Sequence, residues 1–155
     1  MQAGDEAPDF SLPDENGAPR SLGEFLSGGP VVLFFYPIAM TSGCTAEACH
    51  FRDLSAEFEA AGAQRLGISV DPVSKQKEFS DRHSFDYPLL SDEGGAVAKQ
   101  FGVKRGLLGK LAPVQRRTFV IDQDRSVLAV IKSETKMNAH ADQALALLRG
   151  RPATS

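Results

Sequence analysis

The sequence predicts an α/β fold in which a mixed central sheet is flanked by helices. Residues 31–36 form an unbroken run of β-branched and aromatic side chains, which is typical of a strand buried on both faces of a sheet. Apolar residues at helical spacing separate this run from a second one at 65–70. Two further apolar runs, at 116–122 and 127–131, are joined by a short polar turn, which predicts an antiparallel pair.

The N-terminal part is predicted to form a small hairpin that covers one end of the domain. Residues 8–22 alternate apolar residues with turn formers, and Asp14-Glu-Asn-Gly17 supplies the turn. Gly28-Gly-Pro30 leads into the strand at 31–36, and Pro37 ends that strand. Between the hairpin and the strand, three apolar residues indicate a short helical turn: Leu22, Phe25 and Leu26.

A helix is predicted over 44–61, because apolar residues recur at helical spacing from Thr45 onward. Three residues can serve as its N-cap: Thr41, Ser42 and Gly43. Gly62 ends this helix, and the strand at 65–70 follows. Two strands joined by a crossover helix are expected to pair in parallel, as a right-handed unit.

The next helix is predicted to begin at Asp71 as its N-cap, with Pro72 at the first helical position, and to run to about Ser84. A short extended piece is expected at 87–91. Ser91 or Asp92 can then cap a helix from about 93 to 101.

The segment 104–113 is the least regular part of the chain, since two glycines and a proline interrupt it. Its leucines predict either a loop packed on the core, or an apolar collar over a functional site or against a second subunit. The closing helix is predicted over 139–149, with four apolar residues on one face: Ala141, Ala144, Leu145 and Leu148.

Composition and charge disfavour several function classes. The chain has 155 residues, of which 42% are hydrophobic and 24% charged, values that fit one globular domain spanning residues 1–155. A net charge of −3 offers no attraction to nucleic acid or to an anionic membrane, so we expect neither as a partner. The N-terminus lacks the segments of a secretory signal, and no apolar run is long enough to span a bilayer. We therefore expect a cytoplasmic protein.

The chain has two cysteines, Cys44 and Cys49. In a reducing cytosol, such close cysteines favour a catalytic or redox role over a structural staple. Cys44 falls in the first turn of the predicted helix, where unpaired N–H groups and the helix dipole stabilise a thiolate. It is therefore a candidate nucleophile; the alternative is a small buried apolar residue. Together with His50, the pair lacks a second set of ligands at zinc spacing, so we expect no metal and no other cofactor.

The spacing of the two cysteines has a geometric consequence. If both remain in a regular helix, their Cα atoms lie roughly 8 to 9 Å apart, beyond the ~7 Å limit for a disulfide. A bond between Cys44 and Cys49 would require the first turns of the helix to unwind. The pair is then either two structural thiols that never meet, or a redox couple whose oxidation is coupled to local unfolding.

One stretch of the chain resembles the active-site signature of the peroxiredoxins. The pattern Pro37-x-x-x-Thr41-x-x-Cys44, with a second cysteine five residues later, is similar to the bacterioferritin comigratory protein, or peroxiredoxin Q, branch. The similarity runs along nearly the whole chain. It implies a thioredoxin-like fold with the peroxiredoxin elaborations, including the N-terminal hairpin. One departure is Ile38-Ala-Met40, where many relatives carry Lys-Asp-Asp, and it makes the loop beside the site more apolar.

The resemblance implies a thiol-dependent peroxidase for hydrogen peroxide and small organic hydroperoxides. In that scheme Cys44 becomes a sulfenic acid and forms an intramolecular disulfide with Cys49, and thioredoxin or a similar dithiol restores both thiols. Thr41 would hold a peroxide oxygen and Pro37 would shield the thiolate. Arg116 would offset negative charge on the thiolate and on the departing oxygen. The expected oligomeric state is a monomer or a weak homodimer.

Nearby residues leave some roles open. Arg117 is one step from Arg116 and, by strand alternation, faces the other side. Glu47 is expected to favour the helix N-terminus electrostatically rather than to take part in catalysis. His50 is expected at an exposed helix position.

Two alternative functions are also consistent with the two cysteines. A thioredoxin-like disulfide oxidoreductase is disfavoured, because that chemistry uses Cys-x-x-Cys, whose sulfurs can bond without melting the helix. A redox-regulated binding or chaperone protein would show no peroxide-dependent consumption of reductant.

Overall fold

The computed structural model describes residues 1–103 and 114–150, so the predicted irregular segment at 104–113 lies outside the described residues. The strands are β1 (Ser11–Pro13), β2 (Pro19–Ser21), β3 (Val31–Phe35), β4 (Gln64–Ser69), β5 (Leu89–Ser91), β6 (Arg117–Ile121) and β7 (Val127–Lys132). A five-stranded sheet has the order β5-β4-β3-β6-β7, and β1 and β2 form a separate hairpin. The helices are α1 (Leu22–Leu26), α2 (Ser42–Asp53), α3 (Ser55–Ala60), α4 (Val73–His83), α5 (Ala96–Gln100) and α6 (Met137–Arg149), and a 3₁₀ turn, Glu93–Gly95, precedes α5.

Strand β3 lies at the centre of the sheet and is buried along its whole length. It pairs in parallel with β4 and antiparallel with β6, while β6 pairs antiparallel with β7. Its side chains alternate between two cores, so that Leu33 packs in one and Phe34 in the other. The predictions of a doubly buried strand, a mixed sheet and a C-terminal antiparallel pair are therefore confirmed.

The two faces of the sheet carry different helices. One core contains residues of α1 and α5, and the other contains residues of α2, α3, α4 and α6. The ring of Phe51 on α2 stacks on that of Phe34 in β3, with 4.2 Å between the centroids. This stack fixes α2 across the sheet and places its first turn just past the end of β3. Among the described helices, none is long and apolar enough to cross a membrane.

The N-terminal hairpin and the short helix after it are confirmed. Strands β1 and β2 pair antiparallel. A reciprocal pair of hydrogen bonds begins α1: the Glu24 N–H donates to Ser21 Oγ, and the Ser21 N–H donates to Glu24 Oε1. This capping box explains why the chain turns sharply from the hairpin into a helix.

The helix predicted over 44–61 is two helices. The backbone at Leu54 leaves helical geometry, with φ −94° and ψ 19°, and separates α2 from α3. Helix α2 begins at Ser42, with Thr41 at its N-cap. Both cysteines therefore lie in α2, whose end at Asp53 falls four residues after Cys49.

The start of α4 also differs from the prediction. Pro72, not Asp71, is the N-cap of α4, which begins at Val73. The Asp71 carboxylate instead accepts hydrogen bonds from the Ser69 hydroxyl and from the Ala39 N–H, each at 2.7 Å. Because a single carboxylate oxygen, Oδ2, accepts both bonds, Asp71 supports the loop before α2 rather than the helix that follows it.

Candidate active site

Cys44 is the third residue of α2, and its side chain is only 2% exposed. The first helical hydrogen bond of α2 runs from the Thr45 N–H to the Thr41 carbonyl. The N–H groups of the residues before Thr45 have no carbonyl partner within the helix, so they leave the positive end of the helix dipole at this point. Cys44 therefore occupies the first-turn position from which an anionic sulfur is stabilised, in a setting shielded from solvent.

Arg116 lies against this thiol. Its Nη2 donates to Cys44 Sγ over 3.4 Å, and its Nη1 donates to Glu47 Oε1 over 2.7 Å. Burial lowers the pKa of Arg116, but the nearby charges of Glu47 and Cys44 outweigh that effect and leave the pKa raised. The guanidinium is thus a permanent positive charge that touches the sulfur.

Gly43 leaves the room that this arrangement needs. A Cβ at Gly43 would lie 3.4 Å from Arg116 Nη2 and 3.5 Å from Met137 Sδ. Met137, the first residue of α6, therefore also borders the site, although nothing in its sequence position indicated this.

Arg117 does not contact the thiol. Its guanidinium donates to Glu134 Oε1 over 3.1 Å and to Gln115 Oε1 over 2.9 Å. The alternation of β6 places it on the side away from Cys44, as predicted.

The loop between β3 and α2 carries the other predicted site residues. Pro37 is half-buried just beyond β3. Met40 takes a left-handed backbone conformation with φ 66°, which is unfavourable for a residue with a Cβ. The hydrogen bond from the Ala39 N–H to Asp71 helps to hold the loop in this shape. The exposed side chain of Ile38 and the half-buried Met40 give the loop the apolar character noted in its sequence.

Thr41 has the backbone geometry of an N-cap, but its side chain does not cap the helix. The hydroxyl donates to the Ile38 carbonyl over 3.0 Å. Since the proton is used in that bond, the oxygen lone pairs are directed to accept a hydrogen bond. Thr41 is exposed, so such a donor can come from a molecule that enters from solvent.

Cys49 is half-buried, and both cysteines are free thiols. Burial raises the pKa of Cys49, an effect that exceeds the opposing influence of Arg52. The Cys49 thiol is therefore held in its neutral form while α2 is folded. Both residues lie in the regular part of α2, so their Cα atoms are roughly 8 to 9 Å apart by helix geometry.

Glu47 and His50 lie elsewhere than expected. Glu47 is fully buried and pairs with Arg116 rather than with the start of α2. Burial raises its pKa to about 7, against the lowering effect of Arg116. His50 is half-buried rather than exposed, and its Nε2 lies 2.6 Å from Asp142 Oδ1 on α6.

His140 is a further buried polar residue that the sequence analysis did not single out. It is fully buried on α6, and its Nε2 lies 3.7 Å from Glu47 Oε2. Helical periodicity could have indicated it, since His140 falls one turn before Ala144 on the apolar face of α6. Within residues 1–103 and 114–150, no group of three or more His, Cys, Asp or Glu side chains could hold a metal ion.

The chain belongs to the AhpC/TSA family, whose sequence pattern matches residues 3–130. Within that family its relatives are peroxiredoxins. It is 41% identical to the chloroplastic peroxiredoxin Q of Sedum lineare over 94% of this chain and 77% of that protein. A crystal structure of peroxidoxin BcpB from Mycobacterium tuberculosis is 65% identical, with a TM-score of 0.95 over 99% of both chains. A structure of the bacterioferritin comigratory protein of Xanthomonas campestris is 33% identical, with a TM-score of 0.81 over 90% of both chains.

The fold is thus the thioredoxin-like fold of the peroxiredoxins, and the resemblance found in the sequence is confirmed. The protein is a thiol-dependent peroxidase, an oxidoreductase of a family that acts on hydroperoxides with thioredoxin-like reductants.

Proposed function

We propose that Cys44 is the thiol that attacks the hydroperoxide and that Cys49 resolves the product. The observation that carries this assignment is the position of Cys44 Sγ, in the first turn of α2 and 3.4 Å from the Arg116 guanidinium. The helix terminus and the guanidinium both favour the thiolate, which is the reactive form. Of the two cysteines in the chain, only Cys44 has this environment.

The first step is a displacement on oxygen. The Cys44 thiolate attacks one peroxide oxygen, the O–O bond breaks, and the other oxygen leaves as hydroxide or alkoxide, which takes up a proton to give water or an alcohol. Cys44 is left as a sulfenic acid. Arg116 offsets charge on both sulfur and departing oxygen, Thr41 accepts a hydrogen bond from the hydroperoxide, and Pro37 shields the thiolate.

The second step joins the two cysteines. The Cys49 thiolate attacks the sulfenic sulfur of Cys44, a disulfide forms, and the sulfenic oxygen leaves as water after protonation. Because the folded helix holds the two Cα atoms too far apart, this step requires part of α2 to unwind.

The contacts of α2 indicate which part unwinds. Buried Tyr87 donates its hydroxyl proton to the Ala48 carbonyl over 2.6 Å, and Arg65 Nη1 donates to the Phe51 carbonyl over 2.8 Å. These bonds hold the second half of the helix against the sheet. The first half, from Ser42 to Glu47, has Arg116 as its main polar anchor. We therefore assign the opening to the first half, which moves Cys44 toward Cys49.

The substrates in this proposal are hydrogen peroxide and small organic hydroperoxides. The apolar side chains of Ile38 and Met40 beside Thr41 suit an alkyl substituent. The structural study of the Xanthomonas campestris relative concerns alkyl peroxide reduction, which supports the organic class. Thioredoxin, or a similar dithiol, is the proposed reductant of the Cys44–Cys49 disulfide.

The remaining assignments rest on the sequence. We propose that residues 1–155 form one domain, that the protein is cytoplasmic and a monomer or weak homodimer, and that nucleic acid and membranes are not partners. The net charge of −3 supports the last point.

Stopped-flow mixing of the reduced protein with hydrogen peroxide, followed by mass analysis of the peptide that contains both cysteines, tests the function. We expect a reaction much faster than that of an ordinary thiol and a loss of two protons' mass from that peptide. In Cys49→Ser, one equivalent of peroxide should be consumed without turnover by thioredoxin. Unchanged turnover would remove Cys49 from the resolving role, and a slow wild-type reaction would refute the peroxidase assignment.

A further inference from the structure

His140 connects three elements that surround the site. Its Nδ1 lies 2.7 Å from Thr118 Oγ1 on β6, and its Nε2 lies 2.8 Å from the Ser133 carbonyl just after β7. The imidazole is fully buried in the N-terminal half of α6. The ring is therefore fixed from two sides and cannot turn without breaking a buried hydrogen bond.

These two partners determine where the ring carries its proton. A carbonyl only accepts hydrogen bonds, so His140 Nε2 must carry hydrogen and donate to Ser133. Burial lowers the pKa of His140, which favours the neutral ring. Nδ1 is then unprotonated and accepts the hydroxyl proton of Thr118. The Nε2–H edge is the fixed positive edge of the ring.

That edge faces Glu47. The distance from His140 Nε2 to Glu47 Oε2 is 3.7 Å, an electrostatic contact longer than a hydrogen bond. Glu47 Oε1 accepts from Arg116, whereas Oε2 has no hydrogen-bond partner in the part of the chain that the structure describes. A fully buried carboxylate oxygen in this state is costly unless a positive edge lies beside it.

We propose that His140 is a positioning residue of the peroxidase: the positive Nε2–H edge of its ring, fixed by Ser133, attracts one oxygen of Glu47 electrostatically, so that the other oxygen keeps the Arg116 guanidinium on Cys44. This role rests on the proposed function of Cys44. It extends the site one layer inward, from the sulfur through Arg116 and Glu47 to a side chain that no substrate touches.

Other charged and titratable groups act on this pair. Arg116 favours ionised Glu47, and Glu134, in the segment before α6, opposes it. Arg116 and Arg117 disfavour a protonated His140, while Glu134 favours it. Two further titratable groups lie near Glu47. Tyr87 is neutral because burial raises its pKa, and Cys44 lies on the same helix as Glu47. Because the Nε2–H edge favours the ionised carboxylate, its removal should shift the ionisation of Glu47 to higher pH.

Two amide variants separate the contact from the bulk of the ring. In His140→Gln the amide nitrogen can reach the position of Nε2, whereas in His140→Asn it reaches only that of Nδ1. The second-order rate constant of Cys44 with hydrogen peroxide is measured from pH 5 to 9 in both variants and in the wild type. We expect His140→Asn to lower this constant about fivefold at pH 7 and to move the rising limb of the profile up by about half a pH unit, while His140→Gln stays near the wild type.

The same comparison in a Glu47→Gln background isolates the mechanism. There His140→Asn should leave the pH profile unchanged, because no carboxylate remains to be held. Thr118→Val removes the hydroxyl that holds the ring but leaves the Nε2–H donor, and it provides a second comparison. Its rate constant with hydrogen peroxide should fall between those of the two amide variants.

An equal shift in the Glu47→Gln background, or a loss of melting temperature with no change in the profile, would overturn the role of His140. These outcomes leave a fast wild-type reaction in place. A slow wild-type reaction would instead overturn the proposed function, and the positioning role with it.

Discussion

The imidazole of His50 on α2 lies 2.6 Å, from its Nε2, from Oδ1 of Asp142 on α6. This contact ties the second half of α2, which also carries Cys49, to α6. It sits on the outer side of the site, with Asp142 exposed to solvent. The contact therefore helps to hold the second half of α2 in place while the first half opens, without taking part in the chemistry of Cys44.

Asp142→Asn should leave the rate of disulfide formation after the sulfenic acid nearly unchanged. The lost contact is partly exposed and lies outside the half of α2 that opens, so we expect a change of less than about twofold. Acid quenching and mass analysis of the cysteine peptide give the rate. Asp81→Asn, which removes an exposed pair with Lys77 on α4, is the control and should leave the rate unchanged. An acceleration of about fivefold or more in Asp142→Asn would show that the second half of α2 must open as well.

Arg116→Lys should lower the rate constant of Cys44 with hydrogen peroxide by about a hundredfold. Lysine keeps the charge, but it cannot donate to Cys44 and Glu47 at once from a planar group. Stopped-flow measurement at pH 7 gives the value. The matched control is Arg117→Lys, because that guanidinium contacts Glu134 and Gln115 instead. Similar losses of rate in both variants would contradict a specific role of Arg116 beside the sulfur.

Asp71→Ala should weaken both the fold and the site. The change leaves the Ala39 N–H without its carboxylate partner, a loss of about 1–3 kcal/mol for a buried donor. The left-handed Met40 then lacks a restraint, Thr41 shifts, and the peroxide rate should fall about tenfold. Asp14→Ala is the control, since Asp14 accepts two backbone hydrogen bonds in the hairpin. We expect it to lower the melting temperature while leaving the rate unchanged.

Glu47 makes stability depend on pH. Its pKa rises from 4.5 in the unfolded chain to about 7 in the folded one, so the folded state binds more protons within that window. The free energy of unfolding should therefore fall as pH rises from 4.5 to 7, by about 3 kcal/mol from this group. Denaturant unfolding of the reduced protein, followed by circular dichroism, measures it.

Glu47→Gln should remove this part of the pH dependence, because glutamine does not ionise. Glu78→Gln on the surface of α4 is the control and should follow the wild-type curve. If the free energy of unfolding of the wild type, relative to that of Glu47→Gln, grows with pH instead of shrinking, Glu47 is ionised throughout this range.

The central part of the fold and of the motif could be predicted because its signals are local. The apolar run at 31–36, the proline that ends it and the cysteine in the next turn are contiguous in sequence. The resemblance to the peroxiredoxins indicates Arg116, and strand alternation places Arg117 on the other side. The strand, its end and the position of the cysteine follow from periodicities of a few residues.

The parts that could not be predicted depend on partners distant in sequence. Glu47 has the polarity of a surface residue, and its partner Arg116 lies 69 positions away. Asp71 has the features of an N-cap, yet a backbone N–H 32 positions earlier takes its carboxylate. The interruption of the helix at Leu54 is not marked by a glycine or a proline in the sequence. For Glu47 and Asp71, a tertiary contact overrides the local preference.

The space at Gly43 limits what the motif can tolerate. A methyl group there would just reach van der Waals contact with Arg116 and Met137, so alanine fits, and a larger side chain that extends toward them must displace one of them. The constraint on the residue before the reactive cysteine is thus its side-chain volume rather than its chemistry. A redesigned or distantly related chain could keep the proline, threonine and cysteine of the signature and still lose its guanidinium contact through one added branch at this position.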